Sequence, residues 1–200
     1  MKKIQILAVL FLLFLSGCAP RMAVKQGYDF SKIRRIAVLN FEGTSGGTAS
    51  DLFIMELIKQ GFDVIERSKI DNILKEQDMG TTGRIEADTV KKIGSILGVD
   101  AIIAGSVGQY LPAQRRTVFF PYGETVVITP GLNVAERGYD YVTYASDAEV
   151  SVSARLIDIE SGSIAWASSE SSTGYTTDSA FRGVIFTLTR SLKSVFPKPK

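Results

Sequence analysis

Cys18 is the one thiol in a chain of 200 residues that has no histidine. Those two counts remove most nucleophilic and metal chemistry at once. A serine or cysteine nucleophile needs a neighbouring base, often an imidazole, and zinc sites draw on Cys and His. A lone thiol cannot form an internal disulfide either, even where the compartment permits one. "GTSGGT", Gly43 to Thr48, is the segment that could cradle a phosphate, since it stands between a strand-like and a helix-like stretch. It lacks the G-x-G-x-x-G order and the lysine of a P-loop, so a tight turn feeding a helix explains it better. Glu66 and Arg67 could be a carboxylate and its orienting base, but a solvated ion pair at a helix start accounts for them more simply. Asp158 and Glu160 flank a hairpin turn, and no two carboxylates fall at a spacing that reads as acid and base. No enzyme, no cofactor and no metal site are expected.

What remains for Cys18 is modification, and its flanks say of which kind. Lys2 and Lys3 make a basic start, Ile4 to Leu15 is apolar except for Gln5, and Leu15-Ser16-Gly17-Cys18 closes the run. A basic start, a short apolar run and small residues describe a secretory signal; a membrane span needs about 20 residues. The last four residues resemble the lipobox of bacterial lipoproteins. That resemblance implies a diacylglyceryl group on the Cys18 thiol, cleavage before it and acylation of the new amine. One acyl chain anchors reversibly, and two or three anchor for good. Ala19, rather than Asp, follows the cysteine, which by the same resemblance implies export to the outer membrane, on its periplasmic face. Cleavage would remove two lysines and no acid, taking the formal net charge from +2 to about zero. A neutral chain lacks the clustered basic surplus of a nucleic-acid binder, so no nucleic-acid partner is expected.

The elements follow from pattern. Residues 1–17 read as signal peptide, 18–32 as the lipidated cysteine and an aperiodic tether, and 33–200 as one domain. "RRIAVLNF" (34–41) is a strand buried on both faces. "DLFIMELIKQGF" is a helix with Phe53, Ile54, Leu57 and Ile58 at helical spacing, capped by Thr48 or Ser50 and closed by Gly61. "FDVIE" is a second strand, parallel to the first through a right-handed crossover. Ser68 opens a helix with the stripe Ile70, Ile73 and Leu74, and 86–97 is a third helix with Val90, Ile93, Ile96 and Leu97 on one face. "VDAIIAGSVGQY" is a buried strand. Ala148, Val150, Val152, Ala154 and Leu156 alternate with polar residues as a half-buried strand. A hairpin turn at Gly162 leads to a return strand from Ile164 that turns too polar for a core after Ala167. The last helix carries Phe181, Val184, Ile185, Leu188, Leu192 and Phe196, and Pro197 stops it. The expected fold is mixed α+β (α/β): a central mixed sheet flanked by helices, in the order β-α-β-α-α-β, an excursion, β-β-α.

Three stretches carry a resemblance: "GFDVIERSKIDNILKEQDMG", "ADTVKKIGSILGVDAIIAGSVGQY" and "EVSVSARLIDIESGSIAWA". In their order and spacing, behind a lipobox, they resemble the curli-production assembly/transport family, the CsgG-like lipoproteins, over roughly residues 34–167. The resemblance implies a periplasmic α/β domain tethered to the outer membrane. In curli exporters, subunits form a ring and each lends two hairpins to a membrane pore. An LpoB-like branch activates cell-wall synthases without a pore. Only "SSESSTGYTTD" stands where the second membrane hairpin would be, too short and too polar for two strands of about 9–11 residues.

Residues 110–146 form the excursion between two core strands, and loops of that length are usually functional. It holds Tyr110, Tyr122, Tyr139, Tyr141 and Tyr144 with Phe119 and Phe120. "TVFFPYGETVVITP" and "YDYVTYAS" read as two strand-like arms around "GLNVAERG". Pro121, Pro130, Arg115, Arg116 and Asp140 argue against lipid-facing arms. An aromatic hairpin docking on a partner or a second subunit is favoured, with Phe119, Phe120, Tyr139 and Tyr141 as its contacts. The function expected is assembly or secretion through protein contacts, with a partner protein or homo-oligomer. The alternatives are an LpoB-like regulator of a cell-wall synthase, for which a tether of about 13 residues reaches at most roughly 45 Å, and a small-ligand-binding domain.

Overall fold

The computed structural model describes residues 22–65, 87–119, 133–137 and 141–197. The strands are β1 (Met22–Val24), β2 (Arg35–Val38), β3 (Asp63–Ile65), β4 (Ala101–Leu111), β5 (Gln114–Phe119), β6 (Asn133–Arg137), β7 (Tyr141–Ser146), β8 (Ala148–Asp158) and β9 (Ile164–Gly174). The helices are α1 (Gly46–Lys59), α2 (Ala87–Leu97) and α3 (Thr177–Val195). Six strands form a central mixed sheet in the order β1-β9-β8-β4-β2-β3, flanked by helices, which is the fold class the pattern predicts. β2 lies parallel to β3 and to β4, and the remaining pairs are antiparallel. The helix read at Ser68, together with Glu66 and Arg67, lies outside the described residues.

One face of the sheet holds the larger core. Ile36, Val38, Ile103, Val150, Val152, Leu156 and Trp166 pack there against Phe53 and Leu57 of α1 and against Phe181, Val184, Ile185, Leu188 and Leu192 of α3. Phe196 closes the end, its ring edge-on to Phe30 and Phe62 at 5.4 and 4.8 Å. The opposite face carries a smaller cluster of Ala37, Leu39, Ile102, Ala104 and Ile157 near the end of α2. Ile96, expected on the buried face of that helix, is 51% exposed. The helix instead turns Gly94 onto Ile159, where any Cβ would overlap the isoleucine side chain. Gly94 and Leu97 then face the sheet, and Ile96 rotates out.

The structure departs from the pattern in four further places. First, α1 begins at Gly46, so Thr48 and Ser50 lie inside it. Ser50 turns its hydroxyl back to the Gly47 carbonyl at 2.8 Å instead of capping. Second, β9 continues to Gly174 rather than ending at Ala167. Its polar half needs no deep core, because it pairs with β8 along its whole length. Its small residues also let α3 lie close, and a Cβ on Gly183 would overlap Ser172 Oγ. Third, the stretch read as tether includes β1, which pairs with β9 from Trp166 to Ser168, and a short 3-10 turn at Phe30–Lys32 that buries Phe30. Fourth, the excursion is three-stranded, in the order β5-β7-β6, with "NVAER" forming a strand where a connection was expected. Residues 112–113 separate β4 from β5, and Asp147 alone separates β7 from β8. The second sheet is thus the β4/β8 ribbon continued past a bend.

Candidate functional site

Three places could carry function. The first is the far end of that ribbon. Phe119 closes β5 directly opposite Tyr141 of β7, with ring centroids 6.0 Å apart. Phe119 is 72% exposed, every residue of β5 is exposed, and Tyr141 is half-buried. The pairing brings together these two of the four residues named as contacts; Phe120 and Tyr139 lie outside the described residues. Two other tyrosines of the excursion are structural. Tyr110 belongs to β4, with its ring 6.1 Å from Phe181, and Tyr144 is buried. Tyr175, 90% exposed just beyond β9, was missed. Its polar neighbours hide it from any count of aromatic clustering.

The second place is the "GTSGGT" turn. Gly43 takes φ +87° beneath the Val107 carbonyl, Ser45 takes φ +61° as the residue before the helix, and the Gly46 amide donates to the Gly43 carbonyl at 3.1 Å. A Cβ on Gly46 would overlap the Phe41 carbonyl oxygen. The glycines thus serve a close chain crossing.

The third place is the β8–β9 turn. Asp158 accepts from the Ser161 amide and hydroxyl, both at 2.6 Å, and from the Tyr28 hydroxyl at 2.5 Å. Lys25 donates to Ser163 at 2.8 Å. Burial and the bond to Asp158 push the Tyr28 phenol well above its usual range. For Asp158 burial works in the raising direction, but the hydrogen bonds from Ser161 and Tyr28 outweigh it and hold the carboxyl below the usual carboxylate range. This network clasps the chain following β1 to a turn 130 residues away. Among the described residues no group of His, Cys, Asp and Glu could hold a metal ion, and no helix is long and apolar enough to cross a membrane.

Residues 17–190 match the family described as curli production assembly/transport component CsgG. The chain belongs to that family. CsgG membership carries a coarse role in assembly. Comparison with curated protein sequences yields no match. Among solved structures, the chain is similar to lipoprotein GNA1162 from Neisseria meningitidis, at 19% identity and TM-score 0.46, over 80% of this chain and 95% of that one. It is similar also to the PelC dodecamer from Paraburkholderia phytofirmans, at 14% identity and TM-score 0.43, over 83% and 96%. The LpoB C-terminal domain from Salmonella enterica follows at 9% identity and TM-score 0.44, over 74% and 87%.

Proposed function

We propose that this protein is a non-catalytic lipoprotein, anchored through Cys18 to the periplasmic face of the outer membrane, that acts in assembly or secretion through protein contacts. The observation that carries the reading is Phe119, an exposed phenylalanine held against Tyr141 at the tip of a second sheet. Exposed aromatic side chains on a rigid strand pair are the residue types enriched at the buried centres of interfaces. Phe120 and Tyr139 are their sequence neighbours and complete the proposed contact. A membrane hairpin fits β5 poorly. Adjacent strand residues face opposite sides, so Arg115 and Arg116 put a guanidinium on each face, at about 2–4 kcal/mol for one that meets lipid at the midplane. The anchor geometry also favours assembly at the membrane over long reach. β1 begins four residues after Cys18, a distance of about 14 Å at most.

The test is particle size. The full chain in mild detergent is compared with the double substitution Phe119→Ser and Tyr141→Ser. A smaller particle, or loss of a co-purifying partner, with an unchanged melting temperature is the expected result. A variant with the size and partners of the wild type would overturn the contact.

A further inference from the structure

On the face of the sheet that carries α2, described residues of β1, β4, β8 and β9 line a cleft of about 840 Å³. Its floor is read from the strand registers. Arg155 of β8 lies between Ala104 of β4 and Ala167 of β9, and Ala23 of β1 extends that row. One step along, Ser153 lies between Ser106 and Ser169. Glu42 bridges to Ser106 from the far side and stands at the other end of the cleft.

Arg155 is half-buried, with only small side chains on either side of it. Among the described residues, the side chains of Arg155 and Glu42 make no hydrogen bond or ion pair with each other or with another residue. A guanidinium in mid-sheet without a counter-ion is unusual, since charges held partly away from water are normally paired. The hydroxyls beside it are in part unused. Ser153 donates to Ser169 at 2.9 Å, which leaves the Ser169 proton free to meet a ligand. Strand spacing of about 4.8 Å and a rise of about 3.3 Å per residue put the Glu42 and Arg155 Cα atoms on the order of 12 Å apart. The cleft therefore has a cationic end, an anionic end and a hydroxyl-lined floor between them. Its volume lies within the range of about 300–1,000 Å³ seen for small-molecule sites.

We propose that this cleft binds a short zwitterionic peptide. The terminal carboxylate lies on the Arg155 fork with the Ser169 hydroxyl beside it, and the terminal ammonium lies toward Glu42. Planar guanidinium and carboxylate match in a bidentate pair. An extended tripeptide spans about 10 Å, which the two side chains bridge. Ala167 and Ile164 line the wall beside Arg155 and receive the last side chain. The site does not depend on the aromatic tip.

The probe is trialanine, titrated by calorimetry into the full chain in detergent micelles, beside trialanine amide and N-acetyl-trialanine. Trialanine should bind, and loss of either terminal charge should weaken it by about tenfold, as expected of a charge-assisted hydrogen bond. Arg155→Gln should abolish the preference for trialanine over its amide. Glu42→Gln should abolish the preference over the acetylated peptide. Neither side chain supports the fold, so both variants should melt with the wild type. The blocked peptides test the proposal on the unaltered protein should a variant fail to fold. Absence of binding at about 10 mM trialanine, equal binding of trialanine and its amide, or an undiminished preference in a folded Arg155→Gln would each overturn it.

Discussion

Single atoms decide the turn that launches α1. Gly46 is required not by its dihedral angle but by the Phe41 carbonyl that occupies the space of a side chain. Gly46→Ala is therefore expected to destabilise the fold by about 1–3 kcal/mol, the range for overpacking. Urea unfolding would read this as a lower midpoint at unchanged slope. Tyr28 gives a pH signature. Its phenol holds its proton to higher pH in the folded chain than in the unfolded one, where the ordinary value is about 10. The contribution is thus present below pH 10 and lost as pH rises beyond it. Asp158 runs the other way: its lowered value contributes above about pH 3.9, and that contribution fades as pH falls. Melting temperature followed from pH 8 to 12 should drop more steeply in the wild type than in Tyr28→Phe. Parallel curves would show that the clasp does not titrate.

At the scale of elements, α3 is held by its stripe and its first turn. Thr176 and Ser179 cap each other reciprocally, and Leu188 and Leu192 have no exposed surface. Leu188→Ala should cost about 2–5 kcal/mol. Phe186, half exposed on the outer side of the same helix, should change stability by no more than about 0.5 kcal/mol on substitution by serine. Thermal melts of the pair would show a large shift and a negligible one. Equal shifts would mean that the outer side is also covered.

For the whole molecule, the sheet edge and the proposed anchor lie close together in sequence, with Met22 only four residues beyond Cys18. Cys18→Ser is expected to leave the domain folded and to release it from the outer membrane. Cell fractionation checks this. A mutant that still sediments with outer membrane would point to a second membrane element.

Local repetition was legible without coordinates. The stripe of α3, the alternation of β8, and the glycines at 61 and 162 that take positive φ all follow from rules linking neighbours in the chain. The family, too, was legible: two of the three stretches that carry the resemblance fall on α2 with β4 and on β8 with β9. β1 and the polar half of β9 were not, since three residues or a run of serines carry no period, and their strand character comes from a partner far along the chain. The strand at "NVAER" was hidden for the same reason. At the candidate sites, the sequence named Phe119 and Tyr141, but only strand register set one opposite the other. Arg155 and Glu42 are 113 positions apart and share one cleft because β4 lies between their strands. Chain neighbours set what each segment prefers; pairing between distant segments decides which side chains meet.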